Sequence, residues 1–373
     1  MAPTARTIHD LATPAALIDV GVLGSNLARM RDVAARASVS LRPHMKTHKS
    51  TVIARQQQEM GVAGFTVATL REAEVMAGAG FTDLLIAYPP VGESRVGRLA
   101  ALLERADVTL LLDSLEAAQW AAGLAKRIGR SVSCRWEIDC GARRCGTPPG
   151  PETVRLASEA FARPGLEFAG FFTFPGHAYA STGVAGIDAA VADEADAHTQ
   201  TVELARQAGF PDGGASGGTT PTCLRMGETS PLAEVRPGNY VFNDATQVAL
   251  GVAETTDCAL TILTTVVAKP AARRLILDAG SKAVGKEVMS PSTKGLARVT
   301  GRPGVVVSRM YEEHSIIDSD GDGIADVRVG DRVELIPNHA CAATNLQSFY
   351  VARDGERVVD VIVPDARNWH ALI

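Results

Sequence analysis

Between residues 38 and 245 short apolar runs alternate with longer stretches in which apolar residues recur at helical spacing. The β-like runs are SVSLRPH (38–44), GFTVAT (64–69), DLLIAYP (83–89), VTLLLDS (108–114), VSCRWEIDCG (132–141), EFAGFFTFPG (167–176), GGASGG (213–218) and EVRPGNYVFND (234–244). Between them ARQQQEMG, LREAEVMAGAG, SLEAAQWAAGLAKRIG and the stretch from Asp188 to Gly209 read as amphipathic helices. Most end at Gly, which accepts the left-handed conformation of a helix terminus. Strands separated by helices pair in parallel, and eight of them is the number that closes a (β/α)8, TIM-like barrel. The alternation also fits a doubly wound open sheet.

After residue 256 the period changes. ALTILTTVVAKP, RRLILDAG, LARVTGRPGVVVSRM, DRVELIP and SFYVARDGERVVDVIV are strand-like, with turn residues between them and no helical pattern. The chain is therefore expected to be an α/β protein of two domains. A barrel spans residues 20–255, and an antiparallel β domain spans 256–373 together with the N-terminal segment 1–19. No flexible linker divides them, so a site between them is expected.

With 373 residues, 46% of them hydrophobic, the chain has enough apolar material for two cores. Its 37 Lys+Arg are balanced by 42 Asp+Glu, so no basic surface suited to phosphate backbones is expected, and nucleic acid is excluded as a partner. The opening MAPTARTIHDLATPAALIDV carries charges and a Pro where a signal peptide needs an unbroken apolar stretch, and no window approaches a membrane span. The expectation is a cytoplasmic protein with no membrane partner. Six cysteines (134, 140, 145, 223, 258, 341) then read as thiols rather than disulfides. Few aromatics and 35 Gly suit an enzyme acting on a small molecule.

RPHMKTHKS (42–50) is the densest cationic cluster and begins where the first barrel strand ends, on the catalytic face of such a barrel. Among Arg42, His44, His48 and Lys49, the amine of Lys46 is pushed toward the neutral form that Schiff-base chemistry needs. Taken alone, the cluster also reads as a solvated basic turn. ASGGTTPT (215–222) can offer backbone N–H groups and Thr hydroxyls to a phosphate after the seventh strand. RPGNYVFND (236–244) follows the eighth, and these two loops commonly hold phosphate in barrels.

PNHACAATN (337–345) places His339 and Cys341 two residues apart at the end of a predicted strand. Residues i and i+2 of a strand share a face, so the imidazole and thiolate can converge on one ion and leave coordination positions open. DSDGDGIAD (318–326) imitates the start of a calcium loop, but Val329 stands where the closing carboxylate belongs, and it reads as an acidic hairpin turn. GHAY (176–179) brings His177 and Tyr179 to the catalytic face, and EEH (312–314) adds His314. His9, His198 and His370 read as core or surface histidines.

Taken together and in order, TPAALID (13–19), RPHMKTHK (42–49), EIDCGARRCG (137–146), SGGTTPT (216–222), VRPGNYVFND (235–244), LDAGSKA (277–283) and PNHACAATN resemble the metal-activated pyridoxal phosphate enzymes of the D-serine dehydratase and D-threonine aldolase family. The resemblance implies the alanine-racemase-like fold, which is fold type III of these enzymes, and a homodimer with the site near the subunit boundary. It implies that Lys46 carries pyridoxal 5'-phosphate as a Schiff base. Ser216, Gly217, Gly218, Thr219 and Thr220, with Gly238, Asn239 and Tyr240, would hold the phosphate. Arg144 and Tyr179 would lie near the cofactor. His339 and Cys341 would bind Zn2+ or another divalent metal such as Mn2+.

The implied substrate is a small D-configured β-hydroxy-α-amino acid, such as D-serine, D-threonine or D-threo-3-hydroxyaspartate. Two reactions follow from the resemblance. Loss of water gives a 2-oxo acid and ammonia, whereas cleavage of Cα–Cβ gives glycine and an aldehyde. The family's aldolases usually carry Asp where Cys341 stands and tend to have a Gln near Val67-Ala68-Thr69. These differences, with Tyr179, favour the dehydratase. The dehydratases tend to have a His at the position of Phe174; here a His stands at 177 instead, which makes His177 the candidate second acid–base group. A racemase of the same fold and a non-catalytic protein that buffers the cofactor are the competing expectations, and the metal pair speaks against both.

Overall fold

The computed structural model describes residues 5–211 and 213–367. After β1 (Ala15–Asp19) and a 17-residue helix come eight strands of one sheet. They are β2 (Ser40–Leu41), β3 (Phe65–Val67), β4 (Asp83–Ile86), β5 (Asp107–Leu112), β6 (Val132–Ile138), β7 (Leu166–Thr173), β8 (Ala215–Gly217) and β9 (Glu234–Val235). Their order is β2-β9-β8-β7-β6-β5-β4-β3, every pair parallel. The two ends of that order meet. Ala63 N–H donates to Leu41 O, Thr66 N–H to Pro43 O and Met45 N–H to Thr66 O, which closes the ring.

All eight predicted runs form strands, though most are shorter than expected. β2 keeps two residues of its run: beyond it Pro43 has no N–H to donate, and the chain turns through residues 45–48. β9 stops before Pro237 for the same reason and continues into a single 3-10 turn, Asn239–Val241.

Side-chain alternation divides the barrel strands between two faces. Leu84, Ile86, Leu110, Leu112, Cys134, Trp136, Ile138 and Phe171 join the core beneath the helices, while Leu85, Leu111 and Phe172 form a separate small cluster inside the ring. The same period turns Arg135 and Glu137 of β6 inward. Where β2 and β9 are too short to hold the ring by backbone bonds alone, Arg42 spans it. Its Nε donates to Glu234 Oε2 at 2.5 Å and its two Nη groups to Asp83 at 2.6 and 2.9 Å. Gly64 leaves room for this arm, because a Cβ there would strike both Arg42 and Asp83.

β1 belongs to the second sheet, antiparallel to β10 (Leu260–Ala271) and parallel to a strand near the C-terminus. The remaining strands are β11 (Arg274–Leu277), β12 (Ala297–Val299), β13 (Arg309–Met310), β14 (Ser315–Asp318), β15 (Arg332–Pro337), β16 (Tyr350–Asp354) and β17 (Arg357–Ile362). The path β13-β14-β11-β10-β1-β16-β17 is antiparallel except at β1–β16, and β15 branches from β10 to pair with β12.

The expectation of no helix in this half is corrected at Ser281–Val284 and Ala340–Leu346. The second helix forms because β15 ends at Pro337 and the buried Asp244 carboxylate accepts the Ala340 N–H at 2.9 Å. It docks on the loop that follows β2: Thr344 Oγ1 donates to Thr47 O at 2.7 Å, and the buried Tyr350 hydroxyl donates to His48 O at 3.1 Å.

Removing the Arg42 clamp leaves Glu234 buried without its main partner. Arg42→Met is expected to lower the unfolding free energy by about 3 kcal/mol, read from the denaturant midpoint, with Arg135 and Ser216 supplying partial compensation.

Candidate active site

Beyond the C-terminal ends of the barrel strands lies a cavity of about 520 Å³, walled by the barrel loops on one side and by His339 and Cys341 on the other. A cavity of similar volume beside Phe168, Phe171 and Phe210 brings together none of the predicted site residues. Lys46 opens onto the first cavity, with Nζ 5.7 Å from the centre of the Phe174 ring. Withdrawal of its amine from water lowers its pKa, and Arg144 and Arg236 act in the same direction.

The loop that carries Lys46 is not a solvated basic turn. Lys49, held at φ +51°, donates to Glu72 at 2.6 Å, and the other oxygen of Glu72 accepts the Ala68 N–H at 2.6 Å. Arg42 is spent on Glu234 and Asp83. Burial lowers His48 to about 3 and holds His44 well below the ordinary histidine range. The cationic neighbours predicted around Lys46 are therefore either neutral or paired.

Gly218, Thr219, Thr220, Gly238 and Asn239 line the cavity where a phosphate was expected. At Gly218 φ is +81° and a Cβ would lie 2.8 Å from Cys223 Sγ; at Gly238 it would lie 2.9 Å from His44 O and 3.0 Å from Thr47 Oγ1. Backbone approaches this closely only without a side chain, as a phosphate cradle requires.

Three expected cradle residues stand behind the wall instead. Ser216 lies in β8 and bonds Glu234 and Arg236 at 2.6 Å each. Gly217 also lies in β8, where a Cβ would strike Glu194. The Tyr240 hydroxyl accepts from Gln57 at 2.8 Å, while the Tyr240 N–H braces the cradle by donating to Thr220 Oγ1 at 3.0 Å. Arg144 and Tyr179 both line the cavity, Arg144 stacked 4.3 Å from the Phe174 ring centre. His177 does not line it: its ring stacks under Gly141 and Nε2 faces Asp193 at 3.2 Å.

His339 and Cys341 do converge, by a route other than strand alternation. His339 is the N-cap of the helix Ala340–Leu346 and Cys341 lies in its first turn, which turns both side chains toward the cavity. His339 Nδ1 faces Glu287 at 2.5 Å, and Cys341 Sγ lies 3.1 Å from Thr47 Oγ1. Burial opposes charge on either group, yet their mutual contact outweighs it, raising the His339 pKa and lowering that of Cys341. The other five thiols are raised, chiefly by burial. A thiolate, an imidazole and open surroundings make a donor set for a borderline-soft divalent ion. Among the described residues no third His, Cys, Asp or Glu completes a closed cage.

Sequence reasoning missed three groups here. Glu137 lines the cavity, and burial raises its carboxyl to about 7. Arg236 lies 3.6 Å from the Phe172 ring centre and is lowered to about 10 by burial. Charged residues at inward positions of apolar strands were the available signal. Glu287, in contact with His339, had none. Elsewhere the acidic run 318–326 is tied to arginines: Asp318 to Arg274 and Arg309, Asp326 to Arg302. His9 and His314 are exposed and His198 is buried against Thr173, whereas His370 lies outside the described residues. No helix among the described residues is long and apolar enough to cross a membrane.

The fold and cavity define an alanine-racemase-like protein, and comparison with known proteins narrows the class. Residues 18–246 match the alanine racemase N-terminal domain and residues 259–352 a putative serine dehydratase domain. The chain is 34% identical to the D-threo-3-hydroxyaspartate dehydratase of Delftia sp. (strain HT23), over 90% of this chain and 92% of that one. It is 28% identical to the D-threonine aldolase of Arthrobacter sp., over 92% and 89%. The solved Delftia dehydratase superposes with a TM-score of 0.91 at 31% identity, covering 98% of this chain and all of that one. The chain belongs to this family of alanine-racemase-fold lyases, whose members are dehydratases and aldolases of D-hydroxy amino acids.

Solved variants of a D-threo-3-hydroxyaspartate dehydratase replace with alanine a histidine and a cysteine two positions apart, the spacing of His339 and Cys341, and the cysteine variant is in a metal-free form.

A carboxyl raised in the folded state keeps its proton there between its ordinary value near 4.5 and about 7, so the stability it contributes below that window is lost as pH rises through it. Glu137→Gln should remove this dependence. Relative to the parent, the variant is expected to gain up to about 3 kcal/mol between pH 4.5 and 7.5, measured by denaturant unfolding.

Proposed function

We propose that this protein is a cytoplasmic, pyridoxal phosphate-dependent and metal-assisted lyase. It removes water from a D-configured β-hydroxy-α-amino acid and releases a 2-oxo acid and ammonia. The observation that carries the reading is the meeting, in one cavity, of a half-buried lysine amine, a glycine–threonine cradle and the His339–Cys341 pair.

The residues present fit both groups. The cradle at Gly218 and Gly238 is bare enough for a phosphate, the half-buried Lys46 amine is shifted toward neutrality, and the thiolate and imidazole suit Zn2+, and Mn2+ more weakly. When bound, pyridoxal phosphate supplies an electron sink for Cα, and a divalent metal supplies a Lewis acid for a departing hydroxyl.

The protein's own part is positioning and proton transfer. Gly218, Thr219, Thr220, Gly238 and Asn239 would hold the phosphate. Lys46 would hold the cofactor through its amine, and the same amine is the group placed to move the proton at the substrate's Cα. Arg144 and Tyr179 would contact the cofactor, and Phe174 and Ala68 line the same cavity. Exposed Met289 at the cavity, with Val288 beside it and exposed Leu346 and Phe349 at the end of the helix bearing Cys341, supports a homodimer. The division into domains at 20–255 and from 256 onward, with β1 in the second, belongs to this reading.

D-threo-3-hydroxyaspartate, D-serine and D-threonine incubated with enzyme, cofactor and Zn2+ or Mn2+ should yield ammonia and a 2-oxo acid from at least one. Glycine and an aldehyde would assign the aldol branch, and chelator-insensitive interconversion of alanine enantiomers a racemase. Lys46→Ala is expected to lose at least about a thousandfold in kcat together with the visible band of bound cofactor. Near-full activity would refute the covalent role.

A further inference from the structure

The Asp244 side chain is fully buried behind the cavity and makes more bonds than a helix cap requires. Its Oδ1 accepts the Gln247 N–H at 3.1 Å, the capping bond of the short helix Ala245–Ala249. Its Oδ2 accepts from Asn239 Nδ2 at 2.5 Å and from the Ala340 N–H at 2.9 Å. Asn239 belongs to the cradle, and Ala340 is the residue between His339 and Cys341. From the same turn Thr246 Oγ1 donates to Asn338 O at 2.6 Å, so the backbone on both sides of His339 is held from one place. Two groups proposed to bind different ligands thus share a single carboxylate oxygen.

We propose that Asp244 is a positioning residue that sets the His339–Cys341 pair against the phosphate cradle, so that an occupied cradle strengthens metal binding. The proposal rests on the reading of the cavity given above. An anion against Gly238 and Asn239 fixes the Asn239 amide. That amide fixes Asp244 Oδ2, and Oδ2 fixes the peptide next to His339. The bond runs in both directions, so metal at the pair must equally favour an anion in the cradle. Asp244→Asn separates this role from capping. Asn is as good an N-cap as Asp, and its oxygen can keep the Gln247 bond, but its NH2 then meets the Ala340 N–H donor to donor.

Mn2+ affinity is measured by calorimetry on the folded protein, cofactor-loaded and cofactor-free, the latter with and without inorganic phosphate. In the parent, phosphate is expected to tighten Mn2+ severalfold. In Asp244→Asn, far-UV circular dichroism should be unchanged, Mn2+ affinity 10- to 100-fold weaker and the phosphate effect lost. Unchanged Mn2+ affinity in the variant overturns the role of Asp244 and leaves the proposed lyase standing. Absence of Mn2+ binding by the parent in every state overturns both. Should Asp244→Asn fail to fold, Asn239→Ala, which leaves the Ala340 bond in place, must abolish the phosphate effect. A persisting effect overturns the coupling.

Discussion

The Lys46 amine sits half-buried in a part of the chain crowded with cations, and much of the surrounding structure keeps those cations away from it. Four basic side chains accompany Lys46 between residues 42 and 50. Left solvated, they would bring water and counterions to the amine. Arg42 is instead drawn to Glu234 and Asp83, Lys49 is closed on Glu72, and His44 and His48 are buried in the neutral form. Each pairing also does structural work. Arg42 reinforces the ring where its strands are shortest, and Glu72 holds the Ala68 N–H at the cavity wall. Lys46 is left as the basic side chain of this loop that opens onto the cavity without a hydrogen-bonded carboxylate, its amine shifted toward the neutral form.

The second sheet completes the site rather than merely covering it. Its helix Ala340–Leu346 is too short to stand alone and is fixed at both ends by the barrel side. Asp244 receives its first N–H, and Thr344 bonds the carbonyl of Thr47, the residue after Lys46. Cys341 Sγ is in turn within 3.1 Å of Thr47 Oγ1. Lys46 and the His339–Cys341 pair therefore share a neighbour in Thr47, which ties their relative positions to a few hydrogen bonds and not to the general packing of two sheets.

What the sequence made legible was the content of the site more than its geometry. Alternating periods showed eight strands, and ordered motifs singled out Lys46, His339 and Cys341, which the fold brings to one cavity, because these signals are local. The reason His339 and Cys341 converge was misread. Strand alternation and a helix N-terminus can both bring i and i+2 to one opening, and the choice depended on Asp244, almost a hundred residues away. The resemblance implied that Ser216, Gly217 and Tyr240 help to hold the phosphate, whereas Ser216 and Gly217 lie within β8 and the Tyr240 hydroxyl is bonded to Gln57, away from the cavity lining. Glu287 could not be found locally, since it meets His339 only through the fold of the 285–295 loop.

The disposition of bases around the cavity bears on which bond such a site would break. Cleavage of Cα–Cβ needs a group to take the proton of the β-hydroxyl, whereas elimination needs one at Cα. Near the His339–Cys341 pair the carboxylates are Glu287, engaged with His339, and Asp244, which already accepts three hydrogen bonds. His177 is turned to Asp193, and Glu137 sits across the cavity with a carboxyl that holds its proton up to about pH 7. These four groups are thus occupied or protonated, whereas Lys46 combines access to the cavity with an amine shifted toward its basic form. That asymmetry favours removal of the Cα proton and loss of water over carbon–carbon cleavage, on a scaffold that in its relatives supports both.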